Sequence, residues 1–150
     1  MAKSVKAAAL RFLKIRPRSI GELKEKLKVK GFSRDEIETT VLDLTASGFL
    51  DDRAFTKSWI RYRLARPFGF RRIIGELKDK GIDPQTIEQA IAEVKGSVNV
   101  EDVVMDLAQR RWQRLPAALD PAKKKKRVLD FLLRRGFDAD AVLRVLKKLK

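Results

Sequence analysis

The sequence predicts an all-α fold of three tandem three-helix repeats forming an elongated, curved rod, and three observations predict it. One apolar pattern recurs around Gly31, Gly81 and Gly136, each copy reads as helix, tight turn, helix, and a further helical segment precedes each copy. Around Gly31 the pattern is Leu23, Leu27, Phe32, Ser33, Ile37, Val41 and Leu44. Around Gly81 it is Ile73, Leu77, Ile82, Asp83, Ile87, Ile91 and Val94, and around Gly136 it is Val128, Leu132, Phe137, Asp138, Val142, Leu146 and Leu149. Every offset agrees, and the glycines stand 50 and then 55 residues apart, which implies a small insertion in the third copy.

Taken in order, the first helix of each repeat falls at roughly residues 3 to 15, 52 to 65 and 100 to 115. The second ends at the glycine, the residue that enters the left-handed C-cap conformation without steric cost. The apolar pair eight and four residues before each glycine lies on one helical face. The third helix opens on Ser33, Asp83 or Asp138, which stand at the N-cap position, with Pro84 first in the helix of the second copy. Linkers are expected at Ser47-Gly48 and Gly96-Ser97, with a loop from Pro116 to Pro121, so the domains are 1–48, 49–97 and 98–150. A unit of about 50 residues buries little surface alone, and stacked neighbours share apolar faces as solenoid repeats do.

Composition narrows the chemistry. The chain has no cysteine and no histidine, which removes disulfides, thiolate zinc sites, thiol nucleophiles and the usual proton shuttle near neutral pH. Catalysis is therefore not expected, nor is a metal or cofactor. No apolar run approaches membrane-spanning length, and Lys3 and Lys6 are not followed by a signal-peptide hydrophobic region. A cytoplasmic protein without a membrane partner is the expectation. The 35 Lys and Arg against 20 Asp and Glu give a net charge of +15, which points to a polyanionic partner, nucleic acid or an acidic protein surface.

The charge is concentrated where the first helix of each repeat meets the second. The first junction holds Arg11, Lys14, Arg16 and Arg18, and the second holds Lys57, Arg61, Arg63, Arg66, Arg71 and Arg72, neither with an acid between its ends. The third holds Arg110, Arg111, Arg114, Lys123, Lys124, Lys125, Lys126 and Arg127 against Asp120 alone. A solvated loop explains any one of these, the lysine run above all. Recurrence in every repeat favours a row of cationic spots facing an extended anionic surface.

Other readings are weaker. A helix-turn-helix would place the helix after each glycine in the major groove, yet that helix carries Asp35, Glu36, Glu38 and Asp43 in the first repeat and Asp83, Glu88 and Glu93 in the second, which would face phosphates with like charge. Asp51-Asp52 resembles a metal or catalytic pair, but capping the run that contains Phe55, Trp59 and Ile60 explains it without further assumption. Trp59, Tyr62 and Trp112 lie near the basic clusters, where aromatics stack on unpaired bases; Trp59, four residues from Phe55, has core spacing, and the other two stay open.

Several segments, in order along nearly the whole chain, resemble the signatures of the RecX regulatory family. Ser19-Ile20-Gly21-Glu22-Leu23 through Lys26-Leu27 to Lys30-Gly31-Phe32 looks like the first; Leu50-Asp51-Asp52 followed by Phe55 the second. Gly69 through Ile73 with Glu76-Leu77-Lys78-Asp79-Lys80-Gly81-Ile82 is similar to the third, and Arg134-Arg135-Gly136-Phe137 to the last. The lysine run at 123 to 126 is more basic than the family pattern requires. The resemblance implies a bacterial, cytoplasmic, monomeric modulator of RecA in homologous recombination, DNA repair and the SOS response. It implies binding of the RecA filament on single-stranded DNA in its helical groove, with inhibition of ATP hydrolysis and strand exchange and no active site. No family motif fixes a contact residue, so the candidate contacts come from charge placement: Arg16, Arg18, Arg61, Arg63, Arg66, Arg71, Arg72, Arg110, Arg111, Arg114, Lys123, Lys124, Lys125, Lys126 and Arg127. The remaining alternative is a general basic nucleic-acid-binding module.

Overall fold

The computed structural model describes residues 4–149; Lys3, placed in the first helix by the sequence pattern, lies outside the described residues. Among them the regular elements are nine helices: α1 (Val5–Ile15), α2 (Ile20–Val29), α3 (Arg34–Ala46), α4 (Asp52–Ala65), α5 (Phe70–Asp79), α6 (Pro84–Lys95), α7 (Val100–Arg114), α8 (Pro121–Arg134) and α9 (Ala139–Lys148). The fold is thus an all-α repeat; Ser47-Gly48 and Gly96-Ser97 lie between helices, and because Pro121 opens α8 the loop expected from Pro116 to Pro121 runs instead over 115–120.

The same closure ends the second helix of each repeat. Gly31, Gly81 and Gly136 have φ of +94°, +77° and +92°. At each turn the glycine N–H donates to the carbonyl three residues back, and the next N–H donates to the carbonyl five back, from Phe32 to Leu27 (3.3 Å), Ile82 to Leu77 (3.1 Å) and Phe137 to Leu132 (3.2 Å). These paired bonds satisfy carbonyls that a helix end otherwise leaves unmade. The helix starts are less uniform. Ser33 accepts from the Glu36 N–H at 3.2 Å and Asp83 from the Thr86 N–H at 3.3 Å, whereas Asp138 holds the N-cap position of α9 without a side-chain cap bond.

Burial follows the repeated pattern: Leu23, Leu27, Ile73, Leu77, Val128 and Leu132 are fully buried before the glycines, and Ile37, Val41, Leu44, Ile87, Val94, Val142, Leu146 and Leu149 are buried after them. Phe32 and Ile91 are half-buried. By compactness the chain divides into two units, and the division falls inside α4, α5 and α6. The first unit runs through Trp59 and includes Glu76–Ala90. In it α1, α2 and α3 pack on one another around Ala8, Ala9, Leu23, Leu27, Ile37, Val41, Leu44 and Leu50. The second unit holds Ile60–Gly75 and the chain from Ile91 onward. In it α7, α8 and α9 pack around Val104, Ala108, Val128, Leu132, Phe137, Val142 and Val145.

Within each unit a helix start is seated on a glycine turn. In unit 1 the Ser19 hydroxyl donates to the Lys80 carbonyl at 2.8 Å, and a Cβ on Gly21 would lie 2.7 Å from that oxygen. In unit 2 the Gly69 N–H donates to the Arg135 carbonyl at 2.8 Å and the Arg71 N–H to the Gly136 carbonyl at 3.2 Å. A Cβ on Gly69 would collide with the Gly136 backbone, so only glycine fits there. Lys80 and Arg135 each precede a turn glycine, so one backbone socket is used twice.

Candidate nucleic-acid interface

In unit 1 the first basic junction is partly consumed by the fold. Ser19 and Glu22 form a reciprocal capping box at the start of α2. Glu22 also pairs with Arg16 at 2.6 Å and with Lys80 at 3.3 Å. Burial opposes the charged form of Glu22, but the bonds from Arg16, the Ser19 N–H and Lys80 outweigh it and hold the carboxyl at about 2. Arg18 is buried, its Nε donating to the Phe12 carbonyl at 3.2 Å and its guanidinium lying 5.4 Å from the Phe12 ring centre. That burial, and then the charge of Arg16, lowers its pKa. Arg11 and Lys14 remain exposed on α1.

The acidic pair belongs to helix ends. Asp51 accepts from the Ala54 N–H at 3.1 Å and caps α4, while Asp52 accepts the Ile20 N–H at 2.8 Å, a donor that the first turn of α2 cannot satisfy. Burial, followed at a distance by the charge of Asp51, raises the Asp52 pKa against the pull of the Ile20 bond. Among the described residues no group of three acidic side chains is placed to hold a metal ion.

Unit 2 gathers most of the remaining candidates. Three guanidiniums surround the Phe68 ring: Arg63 at 3.9 Å, Arg72 at 4.3 Å and Arg135 at 4.8 Å. Arg135 also lies 5.1 Å from the Phe131 ring, which Arg111 approaches at 4.9 Å. Arginines of the second and third junctions are therefore linked by aromatic rings into one ladder. Arg110, Arg111 and Arg114 line a cavity of about 320 Å³ with Pro67, Leu107, Phe131 and Arg135. Arg66 covers Tyr62 at 4.6 Å, and its carbonyl accepts from Arg135 at 3.4 Å. Arg61 is exposed on α4, and Arg71 lines a larger open cavity with Lys95 and Arg144. Lys124 lies 5.2 Å from the Trp112 ring, and Lys123, Lys125, Lys126 and Arg127 are exposed along the first turns of α8.

The aromatics divide as their neighbours dictate. Trp59 is half-buried and stacks on Phe55 with centres 6.2 Å apart, under the Lys80 ammonium at 4.2 Å. Tyr62 is exposed, and Trp112 is half-buried against the unit 2 core. Sequence reasoning missed Phe68, Phe131 and Arg135. The aromatic interleaving of Arg66-Pro67-Phe68-Gly69-Phe70-Arg71 was a usable signal for the first; nothing local marked the other two as its neighbours.

Among the described residues no helix is long and apolar enough to cross a membrane. Three family models match the chain in order: "RecX, first three-helix domain" over residues 6–44, "second three-helix domain" over 51–91 and "third three-helix domain" over 99–146. A Regulatory protein RecX of Legionella pneumophila (strain Corby) is 34% identical over 95% of this chain and 93% of its own length. The protein of the same name in Herminiimonas arsenicoxydans is 35% identical over 93% and 88%. The crystal structure of RecX from Lactobacillus salivarius superposes with a TM-score of 0.87 at 23% identity, covering 97% of this chain and 94% of that one.

Proposed function

Because the chain belongs to the RecX family of regulatory proteins, we propose that it restrains RecA by binding the RecA–single-stranded DNA filament in its helical groove and suppressing ATP hydrolysis and strand exchange. It acts in the cytoplasm as a monomer, through the repeats 1–48, 49–97 and 98–150. The observation that carries the reading is the joining of two basic junctions in unit 2 through Phe68 and Phe131. Guanidiniums stacked on rings lose less freedom when they meet an anion than flexible lysines do. Occupancy of the groove blocks the homologous duplex and disturbs the nucleotide-dependent contact between protomers. Binding supplies all of this, and both carboxylates of Asp51-Asp52 are already engaged by backbone donors.

Phosphate release from RecA, single-stranded DNA and ATP tests the proposal. Release is expected to fall as the protein approaches stoichiometry with RecA. Unchanged hydrolysis, with DNA alone still bound, would replace the regulator by a general nucleic-acid-binding module.

A further inference from the structure

The cavity of about 320 Å³ in unit 2 is walled by four guanidiniums and no carboxylate. Arg110, Arg111 and Arg114 come from the last turns of α7, Arg135 follows the end of α8, and Pro67, Leu107 and Phe131 supply the apolar remainder. Like charges around one hollow repel, and low-dielectric walls focus their field on its mouth. Among the described residues the ion pair on this wall joins Arg110 to Asp106, one turn away on α7 at 3.0 Å; both side chains are more than 60% exposed, so solvent screens it.

Arg111 supplies a second, independent observation. Its Nε is buried with no hydrogen-bond partner, while the guanidinium is held over Phe131. A buried donor left unmade is costly, and a small turn of the side chain that brings it to an acceptor in the cavity recovers the cost. Stacking fixes the planes of Arg111 and Arg135; one Arg135 N–H is taken by the Arg66 carbonyl, and the remaining edge N–H groups of the two guanidiniums can grip an anion with a two-pronged fork.

We infer that this cleft is a phosphodiester site for a single-stranded nucleic acid. Arg111 and Arg135 hold one backbone phosphate between fixed forks, and Arg110 and Arg114 at the exposed rim neutralise the next. The volume suits a phosphate with its sugar and is small for a folded protein segment. Beyond the cleft the strand meets Arg72 and Arg63 around Phe68, so the ladder offers cations in unbroken succession, as a strand offers phosphates. Exposed Tyr62, beside Arg66, is a platform for an unpaired base. The inference deepens the regulator reading, and it rests on that reading only for the source of the strand.

Fluorescence anisotropy with the full-length protein and an oligothymidylate of about 16 nucleotides tests it. Arg110→Gln with Arg114→Gln changes two exposed side chains and is expected to weaken binding about tenfold and to reduce the salt slope by about 1.4, at roughly 0.7 for each lost contact. Arg111→Lys keeps the charge but loses the fork, and is expected to weaken binding with the slope preserved; circular dichroism checks that each variant folds. Lys26→Gln with Lys28→Gln removes the same charge from α2. A loss as large from that control overturns the site, because diffuse charge then explains the affinity. Unchanged DNA affinity in the cleft variants with lost suppression of RecA hydrolysis also overturns it and assigns the cleft to an acidic protein surface. If the unaltered protein leaves RecA hydrolysis untouched while the cleft variants lose DNA affinity, the phosphodiester site stands and the regulator reading falls.

Discussion

Glu22 accepts hydrogen bonds from Arg16, Lys80 and the Ser19 backbone, and each favours its ionised form. Its folded value of about 2 lies below the ordinary 4.5, so its contribution to stability is complete above pH 4.5 and is lost as pH falls toward 2. Asp52 runs the other way: its raised value makes the folded state hold the proton more tightly, so its effect weakens folding as pH rises. Glu22→Gln isolates the first effect. The variant is expected to be about 1–2 kcal/mol less stable at neutral pH and to show a flatter decline in thermal stability from pH 4.5 to 2. Parallel declines in the two proteins would remove Glu22 from the account. The spacing of Ser19 and Glu22 is that of a capping box and was legible in the sequence. Lys80 was not, because it lies 58 residues away and only the folded unit brings it to the carboxylate. The same limit applied to Arg18, which sequence placement grouped with exposed cations and the fold turns inward.

Helices were the most legible level, since the period and the cap chemistry are local. The glycine turns, Pro84 at the head of α6 and the edges of α4 and α7 all fall where the apolar spacing predicts. Asp138 shows the limit of cap reading: the residue type and position are right, but its side chain makes no cap bond. Helix α8 shows a conflict between charge and helix. It begins at Pro121 and carries Lys123, Lys124, Lys125, Lys126 and Arg127 near its positive end, with no acid in the first turn and no side-chain bond from Asp120. Cations there oppose the helix dipole. Lys123→Glu is therefore expected to raise stability by about 0.5 kcal/mol, seen as a higher melting temperature, and to weaken oligothymidylate binding in the same sample. Unchanged or lower stability would mean that these lysines carry no folding cost.

For the molecule as a whole, the net charge of +15 and its clustering at three junctions were readable from residue order. Which clusters meet was not readable. The contacts that link the second and third junctions span tens of residues, and Phe68 and Phe131 gave no local sign that they would share Arg135. Arg71→Gln with Arg72→Gln tests the second junction at this scale. Both side chains are exposed, and their loss is expected to weaken DNA binding and lower the salt slope by up to about 1.4; an unaltered affinity and slope would exclude that junction. The seat of Gly69 and Arg71 on Arg135 and Gly136 is made by main-chain N–H and C=O groups, which nearly every amino acid carries. Provided the small residues remain, mutation can rewrite the surrounding side chains without dislodging that joint. Partner recognition and the scaffold beneath it thus rest on different atoms, side chains for the one and main chain for the other.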